Sequence, residues 1–326
     1  MQVPTATLSK FQMQASIQLV TIAIITCNRA WGLSKLLREL MLLRMPDFPS
    51  AKLNILVVEN GHRQRSTLSL VEHYRHAGLR IDYFHEPQQG ISYARNTALR
   101  HALKHSDYIA FIDDDEWPTP IWINELLKCA VEFQAPVVCG PVLPVLPSSA
   151  PRWARQGGFF NRQRYTTGTP ISYGATNNTL ILSAALRRSG LSFDPRFALT
   201  GGEDTLFFLK LTEQTNRAVV WCDTATAYET IEPERMSVRW LFRRAMRVGA
   251  NMPHYDSAMG KGRLCRLRWA LQGGAHVLLA LPRSAWAYLL RSDVRCVESL
   301  RELGLGLGML LGAWGGSIQE YTERHV

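Results

Sequence analysis

The chain has 326 residues, 46% hydrophobic and 20% charged. That balance excludes a chain too polar to fold and leaves room for one large domain with an appendage. The formal net charge of +10 is uneven: residues 231–326 carry 14 Lys/Arg against 8 Asp/Glu, leaving 23 against 19 for residues 1–230, so a polyanion (anionic lipid, pyrophosphate or nucleic acid) is expected at the C-terminal third.

Residues 1–16 lack the basic start and long apolar run of a signal peptide and read as a weakly ordered lead-in. Leu19–Thr26 is a continuous β-branched run, the mark of a central parallel strand. Cys27-Asn28-Arg29 turns the chain, and Trp31, Leu33, Leu36, Leu37, Leu40 and Leu43 then recur at helical spacing until Pro46. A second buried strand, Leu53–Glu59, closes on the turn dipeptide Asn60-Gly61. A helix pattern through Tyr74 and a short strand at Ile81–Phe84 follow. This rhythm means βαβ units and a parallel sheet.

Gly90–Leu99 opens a helix with Ser92 expected as its N-cap and a face of small residues, Ala94, Ala98 and Ala102, suited to close packing on the sheet. That helix leads into Asp107-Tyr-Ile-Ala-Phe-Ile-Asp-Asp-Asp-Glu-Trp-Pro118, in which a five-residue apolar strand delivers Asp113, Asp114, Asp115 and Glu116 to its carboxyl end. Like charges packed this closely raise one another's pKa. A hard divalent cation relieves them, and ligands of open α/β sheets bind beyond this end of the strands. Ile121–Phe133 reads as a helix, Pro136–Val142 as a strand, and Pro141–Gly174, rich in Pro, Gly, Arg and aromatics, as a long loop. Gly174–Leu182 returns to strand. Thr200-Gly-Gly-Glu-Asp-Thr205 then sets Glu203 and Asp204 at the start of a helix, where a carboxylate serves either the helix dipole or general-base chemistry. Ala218–Cys222 reads as a last strand. The six cysteines show no paired spacing and read as reduced packing residues.

Beyond residue 230 the chain turns basic, with Arg235, Arg239, Arg243, Arg244 and Arg247 interleaved with Trp240, Leu241 and Phe242. The apolar stretches 269–290 and 303–316 are too interrupted for a clean span. They read as segments lying in a membrane surface, flanked by Arg263, Arg266, Arg268 and Arg291. The domains expected are the lead-in 1–16, a catalytic 17–230 and a basic, helical 231–326.

In order, Ile24-Ile-Thr-Cys-Asn-Arg29, Val57-Val-Glu-Asn-Gly61, Gly90-Ile-Ser-Tyr-Ala-Arg-Asn96, Phe111–Pro118, Gly201-Gly-Glu-Asp-Thr205 and Arg239-Trp240…Arg243 resemble a family 2 glycosyltransferase of the GT-A fold. His85-Glu-Pro-Gln-Gln-Gly-Ile-Ser92 and Ala175-Thr-Asn-Asn178 are similar to members of bacterial exopolysaccharide assembly of the succinoglycan type. The resemblance implies an α/β fold with a mainly parallel, Rossmann-like sheet and a helical C-terminal extension. Thr26, Asn28, Arg29, Glu59, Arg95, Asp113 and Asp114 would bind a UDP-sugar, with Glu59 where the family usually has Asp. Asp115 and Asp113 would hold Mg²⁺ or Mn²⁺. Asp204 would be the general base, with Glu203 orienting it or the acceptor, and Trp240 and Arg243 would close over donor or acceptor.

The implied activity is inverting transfer of a sugar, glucose by analogy, to a polyprenyl-diphosphate-linked glycan. It would take place at the cytoplasmic face of the inner membrane, with no nucleic acid as partner. Two other readings of the residues stay open. One is a metal-dependent phosphohydrolase built on Asp113 and Asp115, which would want a small or β-branched residue where Trp117 stands. The other is a non-catalytic module binding nucleotide-sugar or membrane.

Overall fold

The computed structural model describes residues 17–262 and 264–320, so the expected lead-in, residues 1–16, and the flanking Arg263 lie outside the described residues. The chain divides into two compact units. One comprises the chain up to Leu143 with Arg162–Pro195 and Phe207–Glu229, and the other comprises Pro144–Asn161, Arg196–Leu206 and the chain from Thr230 onward.

The first unit is built on a sheet of eight strands: β1 (Leu19–Thr26), β2 (Lys52–Asn60), β3 (Ile81–Glu86), β4 (Tyr108–Ile112), β6 (Val137–Cys139), β8 (Pro170–Ile171), β9 (Asn178–Leu182) and β10 (Val219–Trp221). Their order is β3-β2-β1-β4-β9-β6-β10-β8. The first four run parallel, as the βαβ rhythm implies. β9 then enters antiparallel between β4 and β6.

Alternate residues of one strand serve opposite faces. Ile22 and Ile24 join a core with Leu33, Leu36 and Leu37 of α1 (Ala30–Leu40) and with residues of α4 (Trp122–Glu132). Ala23 joins a second core with Ala94, Ala98 and Ala102 of α3 (Ile91–Ala102). Burial on both faces is why β1 and β2 are largely apolar, with Thr21 and Asn54 buried polar exceptions within them. α2 (Arg65–His76) and α6 (Ser183–Ser189) complete the helices wholly within this unit.

Several expectations are corrected. Trp31 is 75% exposed rather than part of the apolar face of α1. Ser92 is not a cap: Gly90 holds that position at φ 134°, and the Ser92 hydroxyl donates to the Asp194 carbonyl at 2.9 Å. The acidic run leads straight into a further strand, since Glu116–Pro118 forms β5 and pairs antiparallel with β11 (Ala227–Thr230) in a separate three-stranded sheet. The third strand of that sheet is β7 (Val142–Val145), and it lies with α5 (Arg152–Gly157) and β8 inside the stretch expected to be a structureless loop. Residues 174–177 precede the strand they were expected to begin.

In the second unit, α8 (Val238–Ala258), α9 (Leu264–Leu289) and α10 (Asp293–Ala313) pack together, α10 touching both of the others. Glycines make the close approach possible: a Cβ on Gly308 would meet the Met246 carbonyl at 2.0 Å, and one on Gly312 the Ala250 carbonyl at 2.2 Å. The 303–316 stretch is therefore largely spent on helix packing. A smaller core joins Ala150, Ala154 and Phe160 to Ile231, Met236 and Leu241. α7 (Glu203–Thr215) starts in this unit and continues into the first. No helix among the described residues is long and apolar enough to cross a membrane.

Candidate active site

β1 and β4 are adjacent and parallel, so their carboxyl ends open side by side. Thr26, the last residue of β1, donates its hydroxyl to Asp114 Oδ2 at 2.8 Å. Arg29, at the N-cap of α1, reaches Asp114 at 3.3 Å and Asp115 at 2.8 Å. Asn28 turns the chain between them with φ 55°, a left-handed conformation that asparagine tolerates better than most residues. Gly32 lets α1 approach the acidic turn, since a Cβ there would stand 2.6 Å from the Asp114 carbonyl. Buried Arg95, on α3, faces Asp113 at 3.5 Å. The turn after β4 thus gathers three aspartates between two guanidinium groups.

Burial raises Asp114 to about 7 against the opposing charge of Arg29, with the charge of Asp115 adding to the rise. Burial likewise raises Asp113 to about 6, more than Arg95 pulls it down. The Asp113 side chain keeps 40% of its surface, so solvent screens part of that effect.

Glu116 supports the turn from behind. Its Oε2 accepts the Asp113 N–H at 3.1 Å and its Oε1 accepts Asn177 Nδ2 at 3.0 Å, while burial pushes its carboxyl well above the usual range. Asn178, next along, accepts from Trp122 Nε1 and donates to the Pro141 and Ala225 carbonyls. Glu116, Asn177 and Asn178 were not among the expected site residues. The only sequence signal for the two asparagines was the Ala175-Thr-Asn-Asn178 motif. Glu59 is fully buried at the end of β2, where Oε2 accepts from the Tyr83 hydroxyl at 2.5 Å and the Gln64 N–H at 3.2 Å. Its Oε1 has no hydrogen-bond partner among the described residues.

The second unit carries the other acidic pair. Gly201 and Gly202 take φ of 70° and 89°, and Glu203 and Asp204 open α7. One face of α8 clamps this turn with residues four apart. Arg247 donates to the Thr200 carbonyl at 3.1 Å and Asn251 to the Gly201 carbonyl at 2.9 Å. Tyr255 stacks on Phe197 with ring centroids 5.5 Å apart. Burial and then the charge of Asp204 push the Tyr255 hydroxyl up to about 12. Asp204 Oδ1 accepts the Thr205 N–H at 2.7 Å, and Glu203 is buried. Sequence reading missed this clamp, although polar residues at i, i+4 and i+8 are a legible helix-face pattern.

Residues 21–191 match the model of the family described as "Glycosyl transferase family 2". The succinoglycan biosynthesis protein ExoM of Rhizobium meliloti (strain 1021) is 32% identical over 231 residues, 71% of this chain and 72% of that protein. This chain belongs to glycosyl transferase family 2.

Its fold is GT-A, and solved glycosyltransferase structures share it at low identity. The mannosyltransferase PcManGT from Pyrobaculum calidifontis, in complex with GDP-Man and Mn²⁺, aligns with a TM-score of 0.58 at 18% identity, covering 91% of this chain and 87% of that one. S. aureus TarS 1–349, in complex with UDP-GlcNAc, aligns with a TM-score of 0.54 at 17% identity, covering 95% and 98%. Family membership removes the phosphohydrolase reading.

In this glycosyltransferase no three His, Cys, Asp or Glu side chains stand in ligating geometry among the described residues. Mg²⁺-type sites use one or two carboxylates and complete the shell with substrate phosphates and water. Asp113 and Asp115, oxygen donors in a turn whose carboxyls crowd one another, fit such a two-carboxylate site. Of the basic-aromatic pair, Trp240 stacks on Phe160 with Arg244 5.1 Å from its ring, and Arg243 is exposed.

Proposed function

We propose that this glycosyltransferase moves a sugar, glucose by analogy, from a UDP-sugar to a hydroxyl of a lipid-linked glycan during exopolysaccharide assembly, with inversion. Residues 17–230 are its catalytic domain and 231–326 its basic helical region. The observation that carries this reading is the acidic turn after β4, with Thr26, Arg29 and Arg95 around it, in a chain of this family. The name of the ExoM relative supports the exopolysaccharide assignment.

Asp113 and Asp115 would hold Mg²⁺ or Mn²⁺, which when bound supplies the positive charge that stabilises the departing diphosphate. Arg95 adds charge beside the ribose and pyrophosphate. Thr26, Asn28 and Arg29 line the nucleotide, Asp114 fixes Thr26 and Arg29 in place, and Glu59 receives the uracil or ribose edge. Asp204 takes the proton from the acceptor hydroxyl as that oxygen attacks the anomeric carbon, with Glu203 orienting it. One displacement inverts configuration. Trp240 and Arg243 border donor or acceptor, and the enzyme works on the cytoplasmic face of the plasma membrane as a peripheral or monotopic protein.

The test is turnover of UDP-, GDP- and dTDP-sugars with Mn²⁺. The UDP-sugar is expected to react, and Asp204→Asn to lower kcat by roughly a hundredfold or more with little change in donor KM. Full activity of Asp204→Asn would end the assignment.

A further inference from the structure

α9 is built inside out. Its buried residues are small, Gly273, Ala280 and Ala287, each seven positions from the last. Its large apolar residues face solvent: Leu264 is 81% exposed, Leu267 57%, Leu271 68%, Leu278 71% and Leu289 74%. At 3.6 residues per turn these five leucines fall within an arc of about 60°, opposite the small-residue stripe. A helix in water gains by turning its leucines to the core, and this one turns them away. A continuous exposed patch of this kind marks a surface that something apolar covers.

The charge around the patch says what. α9 itself carries Arg266, Arg268 and Arg283 and no acid; from residue 261 to 295 the chain has seven Lys/Arg against one acid, Asp293. Two copies paired through this face would set arginine against arginine, with no carboxylate on α9 to receive them. Trp286 and Tyr288, both exposed, belong to the residue types that settle at a membrane interface. Beside them a groove of about 720 Å³ between α9 and α10 is lined by Leu279, Trp286, Arg283 and Arg295, with Glu298 and Glu302 of α10 also in its wall. No described helix is apolar enough to span. The stretch at 303–316, an equal candidate by sequence, turns its glycines to α8 and α9.

We infer that the outward leucine face of α9 lies in the plane of an anionic lipid bilayer, with its arginines at the headgroup phosphates. This deepens the membrane-side reading above by naming the element and the lipid charge, and rests on it.

The test is flotation of the full chain with vesicles of phosphatidylcholine alone or mixed with phosphatidylglycerol. Binding is expected to the anionic vesicles and to weaken about fivefold for each of Arg266, Arg268 and Arg283 changed to Gln. Leu271→Glu/Leu278→Glu should weaken it at least tenfold. Both leucines are exposed, so circular dichroism should show the fold intact. As a second readout, brominated lipid should quench tryptophan emission, and Trp286→Phe should remove much of that quenching.

Vesicle binding unchanged by the double glutamate variant would overturn the inference. So would absence of binding together with a dimer, seen by light scattering, that the same variant dissociates. Flotation does not require turnover: loss of sugar transfer with vesicle binding intact counts against the transferase reading alone. Loss of binding with metal-dependent donor turnover intact counts against the docking face alone.

Discussion

Gly202→Ala tests how the turn that carries Asp204 is held. At φ 89° an alanine pays about 1–2 kcal/mol for a left-handed backbone. Its methyl carbon would also stand 2.0 Å from the Tyr255 hydroxyl and 2.8 Å from Asn251 Nδ2. Relief requires Tyr255 to swing off Phe197, and overpacking of this kind costs about 1–3 kcal/mol. Together the substitution should destabilise the protein by about 2–5 kcal/mol, read from urea midpoints at constant m. Surviving folded enzyme should lose kcat, because the start of α7 that carries Asp204 is displaced. Gly202→Ala/Tyr255→Ala should recover part of the loss relative to the sum of the two single changes, since the clashing ring is gone. If Gly202→Ala shifts stability by under about 1 kcal/mol and leaves kcat alone, the clamp described for α8 does not hold this turn.

Glu116→Ala leaves the Asp113 N–H and Asn177 Nδ2 without their acceptor, and should cost about 2–4 kcal/mol and raise the donor KM, measured by denaturation and initial rates. Asp113 and Asp114 are raised to about 6 and about 7 in the fold, against about 3.9 in an unfolded chain. The folded chain therefore holds more protons across this window. Stability is full below about pH 4 on this account and is lost as pH rises through about 7. With EDTA the Tm should fall between about pH 5 and pH 8, and Mn²⁺ should raise it most at the upper end; a Mn²⁺ effect largest at low pH would contradict this. Gly312→Ala should destabilise by about 1–3 kcal/mol through its approach to the Ala250 carbonyl. Gly274→Ala, whose Cβ meets nothing within 4 Å, should stabilise α9 by about 1 kcal/mol, a contrast readable in parallel urea melts.

Much of the acidic turn and the strands that carry it was legible in the sequence because its signals are local. A strand buried on both faces is a near-continuous apolar run, so β1, β2 and β4 could be read directly, and the acids after Ile112 announced their own crowding. Family motifs singled out Thr26, Arg29 and Arg95, which the fold brings against the acidic turn. Pairings between distant segments were not legible. β9 entering antiparallel beside β4, and β5 joining β11, depend on hydrogen bonds across 60 residues or more that leave no periodic trace in either partner. Glu116 reads as one more acid in a run until Asn177 is seen to hold it.

By itself, then, the sequence determined the longer buried strands and amphipathic helices, though not β5, β7, β8 or α5, and which residue types stand at the ends of β1 and β4, because periodicity and local charge are written into neighbouring positions. Only the tertiary structure decided that Asp114 turns inward to Thr26, that α8 clamps the Gly201-Gly202 turn, and that α9 rather than the 303–316 stretch bares its leucines. Those outcomes depend on which face of an element meets a partner, and that is settled by packing between residues far apart in the chain.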